Sequence, residues 1–245
     1  MDASISAAEL GKSLRSSTPP LVIDVRRNER FQESGYLIKG ALRRDPAAVE
    51  QWKAGLPRGA EVVVYCVHGH EVSQNAAKAL GAKYLEGGIE AWREAGLDLL
   101  KKPQHSSTRW VTRERPKIDR IACPWLVRRF VDPGAQFLYV PVTEVQRVAE
   151  KETATPYDVA GVEFTHVGER CSFDAFLEKF HLREAALDKL ATIVRGADTS
   201  RLDLAPQAPG LLAISQGLSI NFPDDHQMLE HGMVMYDALY AWCGQ

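Results

Sequence analysis

The first hundred residues alternate short, β-branched apolar runs with stretches of helical period, a pattern that calls for a parallel sheet covered by helices on both faces. Leu21-Val-Ile-Asp-Val25 and Glu61-Val-Val-Val-Tyr-Cys66 read as buried strands, and a third is expected over 82–85. Ser6 with Glu9 three residues on marks a capped helix start, and Asp45-Pro46 marks another. Further helices are expected over about 70–80 and 89–95. At 245 residues the chain is about twice the usual domain size, so two domains are expected. The polar, proline-bearing stretch Lys101-Lys-Pro-Gln-His-Ser-Ser107 divides them: a first domain over 1–101, a linker over 102–107 and a second domain over 108–245. The second reads as a mixed α/β (α+β), helix-rich domain. Its strands are expected over 109–113 and 135–140, and its helices over about 118–131, 143–154, from a Ser172 cap, 184–195 and 224–242.

Hydrophobic residues make up 45% and charged residues 25%, and 30 basic side chains nearly balance 32 acidic ones, as in a globular protein. A net charge of -2 gives no field to hold a polyanion, and no helix-turn-helix pattern stands out, so nucleic-acid binding is disfavoured. The longest apolar runs fall far short of the roughly 20 residues that cross a bilayer. The N-terminus lacks the basic start and apolar core of a secretory signal, so no membrane association and a cytoplasmic location are expected. The four cysteines, Cys66, Cys123, Cys171 and Cys243, form no Cys-x-x-Cys pair, which argues against a disulfide framework or a thiolate zinc finger.

Cys66 closes a predicted strand and precedes Val67, His68, Gly69, His70 and Glu71, after which a helix begins. A cysteine at that junction can sit within a ring of backbone N–H groups at a helix N-terminus, both of which favour the thiolate and bind anions. The other reading is a small apolar cysteine ending a strand. The segments Leu21-Val-Ile-Asp-Val-Arg26, Gly35-Tyr-Leu-Ile-Lys-Gly-Ala41, Val63-Val-Tyr-Cys66 and Leu85-Glu-Gly-Gly-Ile-Glu-Ala-Trp-Arg-Glu-Ala-Gly96 occur in the order and spacing of single-domain rhodaneses, which this half of the chain resembles. The resemblance implies a sulfurtransferase with no required cofactor. Cys66 would take sulfane sulfur from a donor as a persulfide and pass it to a thiol acceptor, with the loop from Val67 to Glu71 supplying N–H groups. The sequence departs from the family at Glu71, where Arg or Lys is frequent, and at Tyr36, which replaces a histidine in a segment one residue longer. A cysteine phosphatase would need arginine six positions after its cysteine, where this chain has Val72.

In the second domain, Lys117, Arg120 and Arg128 gather positive charge around Cys123 near a helix start, which suits a tetrahedral dianion. Pro124 is most comfortable at a first helical position, which would make Cys123 an N-cap thiol of lowered pKa. A solvated basic helix over a buried Trp125 is the alternative. His166, Cys171, Asp198, His226 and Glu230 form a set that can bind a first-row transition metal; capping aspartates and an ordinary i,i+4 pair are the other reading, and spacing does not separate the two. The blocks Arg115 to Phe130, Phe137 to Pro141, His166 to Asp174, Ile193 to Asp198 and Tyr236 to Tyr240 together resemble the C-terminal domain of bacterial chromate-resistance proteins. That resemblance implies a link to chromate resistance or chromate-responsive regulation and no particular mechanism. The combined expectation is a sulfurtransferase acting through Cys66, coupled to a domain that binds a metal or, as the resemblance implies, an oxyanion such as chromate or sulfate. The alternative is a non-catalytic oxyanion sensor with the first domain as scaffold. Chromate reduction through a flavin or nicotinamide lacks the Gly-rich fingerprint such cofactors use.

Overall fold

The computed structural model describes residues 3–16, 18–56, 59–102, 105 and 108–244. The chain divides into two compact units, Met1–Lys102 and Pro103–Cys243. In the first, the elements run Ser4–Ile5 (β1), Ala7–Ser13 (α1), Leu21–Asp24 (β2), Asn28–Glu33 (α2), Tyr36–Ile38 (β3), Leu42–Arg43 (β4), Val49–Trp52 (α3), Val62–Tyr65 (β5), Glu71–Leu80 (α4), Lys83–Leu85 (β6), Gly88–Glu94 (α5) and Leu99–Lys101 (β7). Five strands form a parallel sheet in the order β1-β6-β5-β2-β4, while β3 and β7 pair antiparallel beside it. Because successive side chains of a strand point to opposite faces, Val22, Val63 and Tyr65 pack with Leu10, Ile89 and Trp92, while Ile23, Val25 and Val64 pack with Val49, Ala76 and Ala77. Both faces are therefore covered, the expected rhodanese-like architecture.

Local signals act as read. Ser6 and Glu9 form a reciprocal capping box at α1, and the Asp45 carboxylate accepts the Ala47 N–H at 2.9 Å. Pro46 opens only a short 3₁₀ turn, Pro46–Ala48, ahead of α3. At the expected linker, Lys102 N donates to Gly35 O at 2.8 Å, so Lys102 completes the first unit. His105 stacks on Trp110 with ring centroids 4.5 Å apart and belongs to the second. Residues 103, 104, 106 and 107 lie outside the described residues.

The second unit contains Arg109–Arg113 (β8), Asp119–Leu126 (α6), Gln136–Val140 (β9), Val145–Glu152 (α7), Thr155–Pro156 (β10), Ser172–Lys179 (α8), Ala185–Asp198 (α9), Ala208–Asn221 (α10) and Asp225–Cys243 (α11). Its three-stranded parallel sheet has the order β10-β8-β9. Val111 packs with Val145 and Ala149 of α7, and Trp110 lies among Tyr157, Phe164, Phe176 and Phe180. The long α11 packs against α6 and α9. Buried Asp237 accepts from Trp125 Nε1 at 2.8 Å and from both Arg129 Nε and Nη2, while Tyr236 donates to Ile118 O at 2.8 Å. Trp125 and the Tyr236-Asp237 pair thus fasten one helix to another.

Two local expectations are corrected. Pro124 stands inside α6 rather than at its start, so Cys123 is a helix-interior residue and not an N-cap. Proline lacks the N–H that would bond Arg120 O, and the Tyr157 hydroxyl donates to that carbonyl instead, at 3.4 Å. After α6 the chain continues as a π-helical turn, Val127–Val131. Ser172 is the first residue of α8; the cap is Cys171, whose N–H donates to Asp174 Oδ2 at 3.0 Å.

Candidate functional site

β5 delivers Cys66 to the end of the sheet with 6% exposure, and α4 begins five residues later. The loop between them is clamped from behind by α5. Ile89 N donates to Cys66 O at 3.0 Å, and Glu90 N donates to Val67 O at 3.2 Å. Gly69 takes φ +71°, and a Cβ there would lie 2.6 Å from Leu85 O. Among the described residues, none of the N–H groups from Val67 to Glu71 donates a hydrogen bond within the protein. A run of free N–H groups at the head of a ten-residue helix is an anion cradle. His68 and His70 are exposed, with ring centroids 5.9 Å apart, and Glu71 is exposed at the first position of α4.

Ser73 was not among the sequence candidates, although its Oγ is 3.1 Å from Cys66 Sγ and fully buried. The same hydroxyl can donate to His70 O at 3.1 Å, so one proton serves either the carbonyl or a thiolate. Its signal was its place within the first turn of the helix that follows the loop. A cleft of about 310 Å³ opens beside Val67, lined among others by Arg26, Arg30, Tyr36, Glu90 and Arg93. Tyr36, where the family carries a histidine, is thus a wall of that cleft.

In the second unit the structure sorts the candidates into three groups. Arg120 and Arg128 are already engaged. Arg120 Nε lies 3.1 Å from Asp158 Oδ2, and its Nη1 donates to Glu114 O at 3.1 Å. Arg128 Nη1 donates to Glu230 Oε1 at 2.8 Å, so a residue expected on an oxyanion neutralises one expected on a metal. His226 packs its ring against Tyr139, with centroids 5.5 Å apart. Lys117 is exposed and, among the described residues, has no such clamp. His226 and Glu230 therefore do not join His166.

Cys123 and Cys171 are both fully buried. Burial, then the charge of Asp119, pushes each thiol well above its ordinary range, the reverse of the lowered pKa expected for Cys123. At neutral pH a small alkylating reagent should modify neither until the protein unfolds; peptide mass spectrometry of native and denatured protein checks this, and native labelling of Cys123 would refute the burial.

His166 and Asp198 do come together, joined by Asp119 and Asp158, which the spacing arguments passed over. His166 Nε2 is 3.3 Å from Asp119 Oδ2, 3.3 Å from Asp158 Oδ1 and 3.2 Å from Asp198 Oδ2. The ligand atoms of Asp119, His166 and Asp198 all lie within 4.8 Å of one another. Asp119 opens α6, Asp198 ends α9, and Asp158 and His166 lie on the loop between β10 and α8. Ile118, a β-branched residue at φ +45°, turns the chain into α6 and is held by Ser215 Oγ accepting its N–H at 2.9 Å. Hydrogen bonding to Asp119 and Asp158 raises the His166 pKa to about 10. Burial, followed by the charge of Asp119, raises Asp198 to about 8. Burial opposes ionisation of Asp158 too, yet His166, Ser172 and Arg113 together hold its carboxyl below the usual range.

A parallel sheet with a cysteine at the mouth of a glycine-clamped loop defines the first unit as a rhodanese-like domain, and the model of the rhodanese-like domain matches residues 6–95. The model of the ChrB C-terminal domain matches residues 110–243, and the chain belongs to that family. Protein ChrB of Cupriavidus metallidurans is 32% identical over 169 residues, which cover 61% of this chain and 51% of that protein; the chain spans about half the length of this curated relative. Similar solved structures include a rhodanese-related protein from Thermoplasma volcanium (26% identity, 39% of this chain and 95% of that chain, TM-score 0.34) and a rhodanese-like domain protein from Staphylococcus aureus (25% identity, 39% and 95%, TM-score 0.34). No helix among the described residues is long and apolar enough to cross a membrane.

Proposed function

We propose that the chain is a sulfurtransferase in which Cys66 carries sulfane sulfur as a persulfide, in the service of chromate resistance. The observation that supports this most is the Cys66 loop, with five N–H groups that, among the described residues, have no internal acceptor at the head of α4. In the first half-reaction the Cys66 thiolate attacks the outer sulfur of a donor such as thiosulfate. The donor S–S bond breaks, sulfite leaves with the electron pair, and the free N–H groups stabilise the departing oxyanion. In the second, an acceptor thiolate attacks the outer persulfide sulfur and Cys66 leaves as thiolate, stabilised by the Ser73 hydroxyl.

Glu71 stands at the first position of α4, where its charge repels a doubly negative donor and favours a less charged donor such as mercaptopyruvate, or a persulfidated protein. Turnover of thiosulfate and of mercaptopyruvate to a thiol acceptor tests the reading. Wild-type protein should turn over at least one donor, and Cys66→Ser should abolish the reaction. Activity that survives in Cys66→Ser would overturn it. The oxyanion-sensing alternative draws no support from Arg120 and Arg128, since both guanidiniums are already held by carboxylates.

A further inference from the structure

We infer that Asp119, His166 and Asp198 form a binding site for one divalent first-row metal ion, of the manganese or ferrous kind. The three ligands come from separate segments: the start of α6, the loop before α8 and the end of α9. Their contacts with one another are longer than strong charge-assisted hydrogen bonds and of the length of coordination edges. The separations from Nε2 to the three carboxylates are 3.3, 3.3 and 3.2 Å, longer than the roughly 2.7–2.9 Å of a charge-assisted hydrogen bond. Ligands about 2.1 Å from a shared ion stand about 3.0 Å apart at right angles and about 3.4 Å apart in a tetrahedron. The spacings from His166 to its two co-ligands, 3.3 Å to Asp119 and 3.2 Å to Asp198, fall within that interval, and the ligand atoms of the two aspartates lie within 4.8 Å of each other.

A second observation concerns charge. Nε2 can carry one proton, yet three carboxylates converge on it. Asp158 has Arg113 Nη2 at 3.0 Å and Arg120 Nε at 3.1 Å. Among the described residues, Asp119 and Asp198 have no arginine or lysine partner; their side chains meet His166 and each other, and Asp119 is 1% exposed. Two carboxylates held this close in a buried site repel one another, and a divalent ion bound by both relieves that repulsion. The thiol of Cys123, fully buried and without a hydrogen bond among the described residues, sits in the field of the same carboxylates.

The surroundings are those of a built site. Ser172 N donates to Asp119 Oδ2 at 3.2 Å, and Ser172 Oγ donates to Asp158 Oδ1 at 2.8 Å, so one residue fixes two carboxylates. His166 remains 40% exposed, which leaves a path for the ion and positions open to water or a small ligand. Two carboxylate oxygens and one imidazole nitrogen favour a manganous or ferrous ion over the softer ions that thiolates select.

Full-length protein, stripped with a chelator and titrated with Mn²⁺ by electron paramagnetic resonance, tests the inference. One Mn²⁺ per chain is expected, with a rise in the melting temperature of the second unit. Asp198→Asn and the more exposed His166→Gln, each verified as folded by circular dichroism, should each weaken binding by at least about 10–100-fold, the loss typical even for residues that only support a ligand. Absence of bound Mn²⁺ at millimolar concentration, or unchanged affinity in the folded His166→Gln protein, would overturn the assignment.

Discussion

Replacing Asp24 with alanine should destabilise the first unit by about 3–5 kcal/mol, the cost of leaving a buried charge without its partner. Asp24 ends β2 and is 1% exposed, as is Arg26, whose Nη2 lies 2.6 Å from Asp24 Oδ2. The same carboxylate accepts the Tyr65 hydroxyl at 2.8 Å, and Tyr65 O in turn accepts Val25 N–H at 2.9 Å, so strands β2 and β5 meet at this group. Arg26, Arg43 and Lys102 are all buried and lie 5.2, 5.3 and 5.1 Å from the Phe31 ring centroid. Removing Asp24 therefore takes negative charge from a pocket rich in cations. For a unit of this size the melting temperature should fall by more than about 12 °C. Hydrogen exchange of peptides carrying β2 and β5 reads the loss within this unit, and unchanged protection there would refute the role given to Asp24.

Gly88→Ala should cut sulfur transfer by about 100-fold, the penalty typical of a displacement near 1 Å at a reacting centre. Gly88 has φ +60°, and a Cβ there would stand 2.4 Å from both Cys66 O and Val67 O. Two carbonyls of the nucleophile loop would have to move, breaking the contacts that Ile89 N and Glu90 N make with them. Gly96 separates strain from displacement. It has φ +65° with nothing within 4 Å of its would-be Cβ, so Gly96→Ala should lower stability while sparing the loop. Persulfide formation rates for the two variants check this, and equal losses would assign the effect to backbone strain alone.

The fold of the first unit was legible because both sheet faces are buried, which turns a central strand such as Val62–Tyr65 into a continuous apolar run. Its Cys66 loop was legible for a related reason: six consecutive residues carry it. The second unit was read less completely. Helix α10 escaped notice because Pro206, Pro209, Gly210 and Gly217 punctuate its sequence, although Pro209 sits within its first turn, where proline is tolerated. Pro124 misled in the opposite sense, since the freed carbonyl of Arg120 finds a hydroxyl on distant Tyr157.

The acidic cluster shows the same limit of local reasoning. Asp119 and Asp198 are 79 positions apart in the chain, and no spacing rule relates them. Arg128 and Glu230 were each plausible site residues until the fold set them against one another. Asp158 carried a weaker signal, an aspartate directly after the buried aromatic Tyr157, which lies against Trp110. Residues that close a site from three segments become visible only when topology brings them together.

The central claim is that Cys66 is a sulfur carrier, and the most direct measurement is intact-mass and peptide mass spectrometry after incubation with thiosulfate and, separately, with mercaptopyruvate. The expected result is a gain of about one sulfur atom with at least one donor, confined to Cys66 and lost in Cys66→Ser, as befits a thiolate held in a loop of free N–H groups. Cys123 and Cys171 should remain unmodified, since both are fully buried. Sulfur on either of those residues but not on Cys66, or no adduct from either donor, would contradict the account.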